Sequence, residues 1–334
     1  MEERGNPPAQ DTLAIGVDVG ATKIAAALVT AGGETLLARQ KPTAPERGTK
    51  AVLDDVAALI GELRAEAPIV PLGVGVGTPG RVDARTGVVR DAVNLGWEEV
   101  RLVEEMEARL PQPFSVWVQK DANAGALGEH YFGAAQGYDD CVYMSVGSGL
   151  GGGVMSEGAL VTGAHWNAAE LGHLSLNPEG RLCACGGRGC AETIVSGPGL
   201  VAQAKEKLVA RDGKLMDAFS AVTTKALTSE VIVKAARAGD EVARAAVEDI
   251  GRHLGIVIAA CVAILNPGVI VVGGGLGLAA FDLLLPAAQD EMERRTLPAS
   301  HNHLEIRPSR LPSSAVGAAC LVWYHMKYTA TDTV

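Results

Sequence analysis

The sequence predicts an α/β protein of two similar lobes. Three observations predict it: strands alternate with helical patterns along most of the chain, an opening of strand, glycine turn and two further strands occurs twice, and 334 residues exceed what one ordinary domain needs.

The first opening reads as a strand from Leu13 to Asp18, a turn at Gly20-Ala21, a strand from Lys23 to Thr30 and a third from Glu34 to Gln40. Thr49 to Ala65 follows as a helix, its apolar residues at Val52, Val56, Leu59, Ile60 and Leu63, with Pro68 beyond its end. Leu72 to Val76, bounded by Gly77-Thr78-Pro79-Gly80, is a continuous apolar run of the kind buried on both faces. A helix is expected from Val100 to Leu110 and a strand from Phe114 to Val118.

The opening then repeats as a strand from Cys141 to Val146, the run Gly147 to Gly153, a second strand, a turn at Glu157-Gly158 and a third strand. Thr228 to Ala238 and Asp240 to Leu265 read as helices on either side of Gly239, with Asp240 placed to cap the second. Val269 to Val272 is a buried strand ending in three glycines, and Ser313 to Tyr324 is an apolar helix suited to pack back on the first lobe. The expected division is a flexible tail over 1–11, a small lobe over 12–120 joined by the helix 313–326, and a large lobe over 121–312. Two lobes that each present a glycine turn are expected to face a cleft that suits a ligand with phosphates.

Composition narrows the function. Hydrophobic residues make up 48% and charged residues 20%, the balance of a soluble globular protein, while aromatics at 4% leave Ala, Val, Leu and Ile to fill the interior. With a net charge of -10 and no Lys/Arg cluster, nucleic acid is excluded as an expected partner. The longest apolar stretch, Leu254 to Leu265, stops at Asn266-Pro267 and falls short of the roughly 20 residues a membrane helix needs. Met1 to Asp11 lacks the apolar core of a signal peptide, so a cytoplasmic protein is expected.

Several clusters could carry chemistry. The backbone of Asp18-Val19-Gly20-Ala21-Thr22-Lys23, with the Thr22 hydroxyl and the Lys23 charge, could face a polyphosphate with Asp18 near magnesium; an ordinary hairpin turn would read the same way. Gly147-Ser148-Gly149 is its counterpart, and so glycine-rich a run points to close backbone approach by a ligand. Gly75-x-Gly77-x-x-Gly80 and Gly147-x-Gly149-x-x-Gly152 match a dinucleotide fingerprint, yet neither leads into the helix that fingerprint requires. Asp121 follows a strand and precedes an Ala-rich helix, where it could cap the helix or serve as the base that phosphorylation of an alcohol needs. Three of six cysteines, Cys183, Cys185 and Cys190, lie close together after His173; free buried thiols are one reading, and a tetrahedral, structural zinc site is the favoured one.

Together these pieces resemble the ROK family of bacterial sugar kinases and sugar-responsive repressors, from about Leu13 to Trp323. The resemblance rests on Asp18 to Lys23, Thr78-Pro79-Gly80, Asp121-Ala122-Asn123, Ser145 to Gly153, Glu170 to His173, Cys183-x-Cys185-Gly186-x-x-Gly189-Cys190-x-Glu192, and Asn266-Pro267 followed by Gly273 to Gly275. It implies a two-lobed actin-like ATPase (ribonuclease H-like) fold with duplicated βββαβα lobes and a zinc-binding loop at 173–192. It also implies ATP-dependent phosphorylation of a hexose, with magnesium on the phosphates, by a homodimer or homotetramer. Glucose is expected ahead of fructose, mannose or N-acetylmannosamine, because Asn94-Leu95-Gly96-Trp97 and the Glu170, His173, Glu192 set resemble the glucokinase branch.

Carried over by position, the resemblance makes Asp121 the general base and gives the sugar hydroxyls to Glu170, His173 and Glu192, with Gly80 and Asn94 on the far side. Gly20, Thr22, Gly147, Ser148 and Gly149 fall to the ATP phosphates, and Gly274 and Gly275 to the adenosine. His173 would bind zinc through one ring nitrogen and aim the other at the sugar. Lys120 departs from the asparagine usual in family kinases, and would either reach a hydroxyl or lower the pKa of Asp121. A repressor on this fold would carry a helix-turn-helix ahead of the first strand, where Asp18 is preceded by only seventeen residues, a stretch that is not basic. A sugar-binding protein without catalysis is the third reading, and the intact Asp121 argues against it.

Overall fold

The computed structural model describes residues 12–111, 114–209 and 227–331, so the expected tail at 1–11 lies outside the described residues. The chain forms two compact units. One holds the described residues up to Gly137, Leu160–Ala168, and those from Arg310 on; the other holds Tyr138–Ala159 and Ala169–Ser309.

In the first unit the elements are β1 (Leu13–Val19), β2 (Lys23–Thr30), β3 (Thr35–Pro42), α1 (Thr49–Glu66), β4 (Val74–Thr78), β5 (Arg81–Asp83), β6 (Val88–Ala92), β7 (Trp97–Arg101), α2 (Leu102–Glu107), β8 (Val116–Lys120) and α3 (Asp121–Phe132). The C-terminal helix, Ser314–Thr331, completes it. Its main sheet runs β3-β2-β1-β4-β8, with β2 antiparallel to both neighbours and β1, β4 and β8 parallel. The apolar periodicity of α1 buries Val52, Val56, Leu59, Ile60 and Leu63 with Ile15, Val17 and Val76 of the sheet.

The C-terminal helix seats on the other face, as its apolar sequence led one to expect, and glycine decides how closely. Gly16 and Gly75 pair across β1 and β4. A β-carbon on Gly16 would stand 1.9 Å from the Ala315 carbonyl oxygen, and one on Gly75 the same 1.9 Å from that of Ala318. Two bare strand positions thus let the helix backbone settle onto the sheet. Because the C-terminal helix also packs against α3, α3 stays with the first unit, whereas the expected boundary at 120/121 assigned it to the second.

The helix expected from Val100 to Leu110 is corrected. β5, β6 and β7 form a separate antiparallel sheet in which Val100 pairs with Val89 and Trp97 with Ala92, and the helix begins only at Leu102. Cross-strand pairing outweighs the helical spacing of the apolar residues.

The second unit contains β9 (Cys141–Val146), β10 (Leu150–Ser156), β11 (Ala159–Leu160), α4 (Gly197–Val209), α5 (Ser229–Arg237), α6 (Glu241–Leu265), β12 (Val269–Gly273), α7 (Gly275–Ala279), α8 (Phe281–Arg295), α9 (Pro298–His301) and β13 (Glu305–Pro308). The sheet order β11-β10-β9-β12-β13 repeats the first, again with its central strand antiparallel to one neighbour and parallel to the other. Asp240 caps α6 by accepting the Ala243 N–H at 2.7 Å, and Asn266 ends that helix in the left-handed region at φ 45. Among the described residues, no helix is long and apolar enough to cross a membrane.

Candidate active site

The carboxyl ends of the parallel strands in the first unit gather one group of predicted residues. Asp18 pairs with Gly77 across β1 and β4, and Thr78 with Lys120 across β4 and β8. A β-carbon at Gly77 would lie 3.6 Å from the Asp121 Cα and 3.7 Å from an Asp18 carboxylate oxygen. The glycine therefore stands between the two predicted acids, on the sheet edge where open α/β folds bind ligands. Burial pushes the Asp18 carboxyl above the usual carboxylate range, opposed by the Ser314 hydroxyl that donates to it and by the Lys23 ammonium.

The turn after β1 closes through the Gly20 N–H, which donates to the Lys23 carbonyl at 3.0 Å, and it leaves Ala21 and Thr22 exposed. Thr43, fully buried just past β3, donates its hydroxyl to the Gly20 carbonyl at 2.6 Å and its N–H to the Thr22 carbonyl at 3.1 Å. Sequence reasoning missed Thr43, because nothing local marks a threonine twenty residues away as the support of a turn.

Asp121 is the first helical residue of α3, and Lys120, at φ -58 and ψ 138, occupies the capping position. The Asp121 carboxylate accepts the Ala122 N–H at 2.7 Å, and the residue is exposed. Lys120, only 7% exposed, donates from Nζ to the Ala168 carbonyl at 3.2 Å. Gly80 turns the chain at φ 95, where a β-carbon would meet the Arg90 carbonyl oxygen at 2.7 Å. Asn94 is exposed on a loop anchored by Leu95 and Trp97, which are 1% and 2% exposed.

In the second unit, His173 Nδ1 lies 3.8 Å from Cys183 Sγ and Cys185 Sγ lies 3.6 Å from Cys190 Sγ, with all four donor atoms within 4.8 Å of one another. Tetrahedral zinc with Zn–S bonds of about 2.3 Å separates its sulfur ligands by about 3.8 Å, so this donor set fits the ion. Burial, followed by the neighbouring thiols, pushes the Cys190 thiol up to about 12. The Gly187 N–H, 3.4 Å from the Cys185 sulfur, is the main cause holding that thiol below its ordinary value, with the other two cysteines helping. Gly189 is obligatory: at φ 66, a β-carbon would stand 1.6 Å from the Asn177 carbonyl oxygen.

Glycine also gathers the acids around this loop. Glu192 Oε2 accepts the Leu150 N–H at 3.2 Å, and a β-carbon on Gly149 would approach that oxygen to 2.3 Å. Gly172 lets the turn Leu171–His173 press on β10, since its β-carbon would lie 2.3 Å from the Leu150 carbonyl oxygen. Half-buried Glu170 flanks the same turn, its carbonyl accepting the His173 N–H at 3.0 Å.

A cleft of about 670 Å³ opens beside the second glycine turn, lined by Gly147, Ser148, Gly197, Lys205, Glu230 and Gly275 among others. The Gly197 N–H donates to the Gly147 carbonyl at 2.8 Å, which sets the first turn of α4 on the glycine turn. Gly275, expected beside the adenosine, lines this cleft. Gly274 instead serves packing, at φ 79 with its β-carbon position 2.4 Å from the Val146 carbonyl oxygen. The α4 and α5 contributions went unpredicted, although Ser196-Gly197-Pro198-Gly199 and Thr228-Ser229-Glu230 are helix-opening sequences that could have flagged them.

A profile of the ROK family matches residues 14–324. The chain belongs to the ROK family. It is 34% identical to a glucokinase of Halalkalibacterium halodurans over 92% of this chain and 94% of that protein. It is also 32% identical to a xylose repressor of Caldicellulosiruptor bescii, over 92% of this chain and 76% of that protein. A crystal structure of a ROK family glucokinase from Streptomyces griseus, in complex with glucose and AMPPNP, superposes with a TM-score of 0.79 at 33% identity, covering 92% of this chain and 98% of that one.

In this ROK chain the first apparent dinucleotide fingerprint resolves into three separate jobs. Gly75 seats a helix, Gly77 separates two acids and Gly80 makes a turn. As the sequence predicted, neither pattern leads into a helix; the first runs into β5 and the second into β10.

Proposed function

We propose that this chain is an ATP-dependent hexose kinase transferring the γ-phosphoryl group of ATP to the 6-hydroxyl of glucose. The observation that supports it most is Asp121, exposed at the carboxyl edge of β8 with Gly77 of the neighbouring strand close to both it and Asp18, in a chain 34% identical to a glucokinase.

In this reading the Asp121 carboxylate takes the proton of the sugar hydroxyl as its oxygen bonds to the γ-phosphorus. The bond from that phosphorus to the bridging oxygen breaks, and ADP leaves. Gly20, Thr22 and Lys23 hold phosphate oxygens, as do Gly147, Ser148 and Gly149 with the N-terminus of α4. Asp18 stands where it would help hold magnesium, which neutralises phosphate charge. Gly275, backed by Gly274, takes the adenosine. Glu170, His173, Glu192, Gly80 and Asn94 take the other sugar hydroxyls. His173 Nδ1, Cys183, Cys185 and Cys190 would hold zinc as a structural ion, which fixes the ring tautomer and leaves Nε2–H for the sugar. The working state is taken as a cytoplasmic homodimer or homotetramer.

Coupled ADP release with ATP across a hexose panel tests the reading. Glucose should give the highest kcat/KM, and Asp121→Asn should lower kcat about 100-fold or more with little change in glucose KM. No sugar-dependent ADP from the wild type defeats the kinase proposal. The 32% identity to a xylose repressor supports a second reading, a sugar sensor, and saturable sugar binding without ADP release would favour it.

A further inference from the structure

A second cleft in the first unit has the chemistry of a ligand site, and none of the proposed catalytic residues lies in it. Its volume is about 440 Å³, and its lining includes Arg85, Thr86, Val103, Trp117, Trp166 and His325. That size falls in the range of small-molecule sites.

The placement of tryptophan is the first reason to read it as built. Aromatics are only 4% of this chain, and it has four tryptophans. Trp97 and Trp323 are core residues, 2% and 5% exposed. The other two, Trp117 and Trp166, are only half-buried, and both line this one cleft. Trp117 is held from behind, since a β-carbon on Gly73 would stand 2.6 Å from its ring, and the His325 ring lies parallel to it within 7°, centroids 6.0 Å apart.

The second reason is backbone strain. Trp166 sits at φ 61, in the left-handed region that a bulky side chain rarely enters. Such outliers concentrate at ligand clamps. The strained residue presents its ring to the Arg85 guanidinium, whose carbon lies 5.9 Å from the ring centroid.

Charge identifies the occupant. Among the described residues no carboxylate, thiol or lysine lines the cleft, so it lacks the acids that usually grip a neutral sugar. Arg85 is exposed, and the nearby acid, Asp83, spends one carboxylate oxygen on the Arg85 and Thr86 N–H groups at 3.1 and 3.3 Å. Flat indole faces beside a single guanidinium suit an aromatic ring that carries an anion. We propose that the cleft lined by Trp117, Trp166, His325 and Arg85 is a non-catalytic binding site for a mononucleotide, its base stacked on the Trp166 indole and its phosphate on Arg85.

The inference stands apart from the kinase reading, and its test leaves phosphoryl transfer aside. Among the described residues no tryptophan lines the 670 Å³ cleft, whereas Trp117 and Trp166 line this one, so a change in emission that depends on Trp166 reports on it. AMP titrated into the full chain should quench that emission saturably, and adenosine and inorganic phosphate should each bind at least about fivefold more weakly. Trp166→Gly removes the ring yet suits the left-handed backbone, so the fold should survive. Both it and Arg85→Gln should weaken AMP binding at least about fivefold. An absent AMP response overturns the proposal, as does equal affinity in both variants. A response to glucose 6-phosphate with none to AMP overturns the assignment of an aromatic ring.

Discussion

Gly75 and Gly77 lie two residues apart on β4, and replacing each with alanine should have very different consequences. At Gly75 the new methyl would stand 1.9 Å from the Ala318 carbonyl oxygen and 3.0 Å from the Leu321 Cβ. It falls about 1.5 Å inside an ordinary contact, and the obstacle is helix backbone, which no rotamer change can clear. The C-terminal helix would have to lift from the sheet, with Gly16 holding the same close approach on β1. A cost of about 3 kcal/mol or more follows, at the upper end for overpacking. At Gly77 the nearest atoms to the new methyl are 3.5, 3.6 and 3.7 Å away, an ordinary contact. Gly77→Ala should therefore keep stability within about 1 kcal/mol of wild type, helped by the lower chain entropy of alanine. Its methyl would still sit between Asp18 and Asp121, so sugar-dependent ADP release should fall at least about tenfold. Urea unfolding followed by far-UV circular dichroism measures the first effect, and the coupled assay the second. Equal midpoints for Gly75→Ala and Gly77→Ala would refute the packing argument. Full activity in a stable Gly77→Ala would refute the placement of the reaction beside that glycine.

Two further outcomes are expected. Purified protein should carry about one zinc per chain by metal analysis, and Cys190→Ser should lose it; less than half an equivalent in the wild type removes the four-ligand site. Asp55 has a side chain 10% exposed and pairs with Lys41 and Arg47; burial raises its pKa, but bonds from Arg47 and Lys41 outweigh that and hold it below the usual value. Its folded pKa being depressed, the stability it adds is present above the unfolded value of about 3.9 and is lost as pH falls through the folded one. Asp55→Asn should accordingly cost about 1–3 kcal/mol at pH 7, with the difference in Tm from wild type closing as pH falls through the depressed folded pKa. A constant difference from pH 7 to pH 2 would contradict the assignment.

What could be read from the chain alone was whatever local order encodes. The strands and glycine turn from Leu13 to Thr30, the helical spacing from Val52 to Leu63, the Asp240 cap and the cluster of three cysteines all depend on neighbours within a few residues. The same locality misled at Val100, whose helical spacing lost to pairing with Val89 on another strand.

The family and the recurrence of one sheet order in both units were legible because they follow from motifs and from repetition. Tertiary structure alone decided the rest. Contact between distant segments put Thr43 under the Gly20 turn, carried Lys120 to the Ala168 carbonyl, and set Trp117 and Trp166 around one cleft. It also gave Gly75, Gly77 and Gly80, a single pattern in sequence, three unrelated purposes. A glycine's meaning lies in what its missing side chain would have struck, and that atom belongs to another part of the chain.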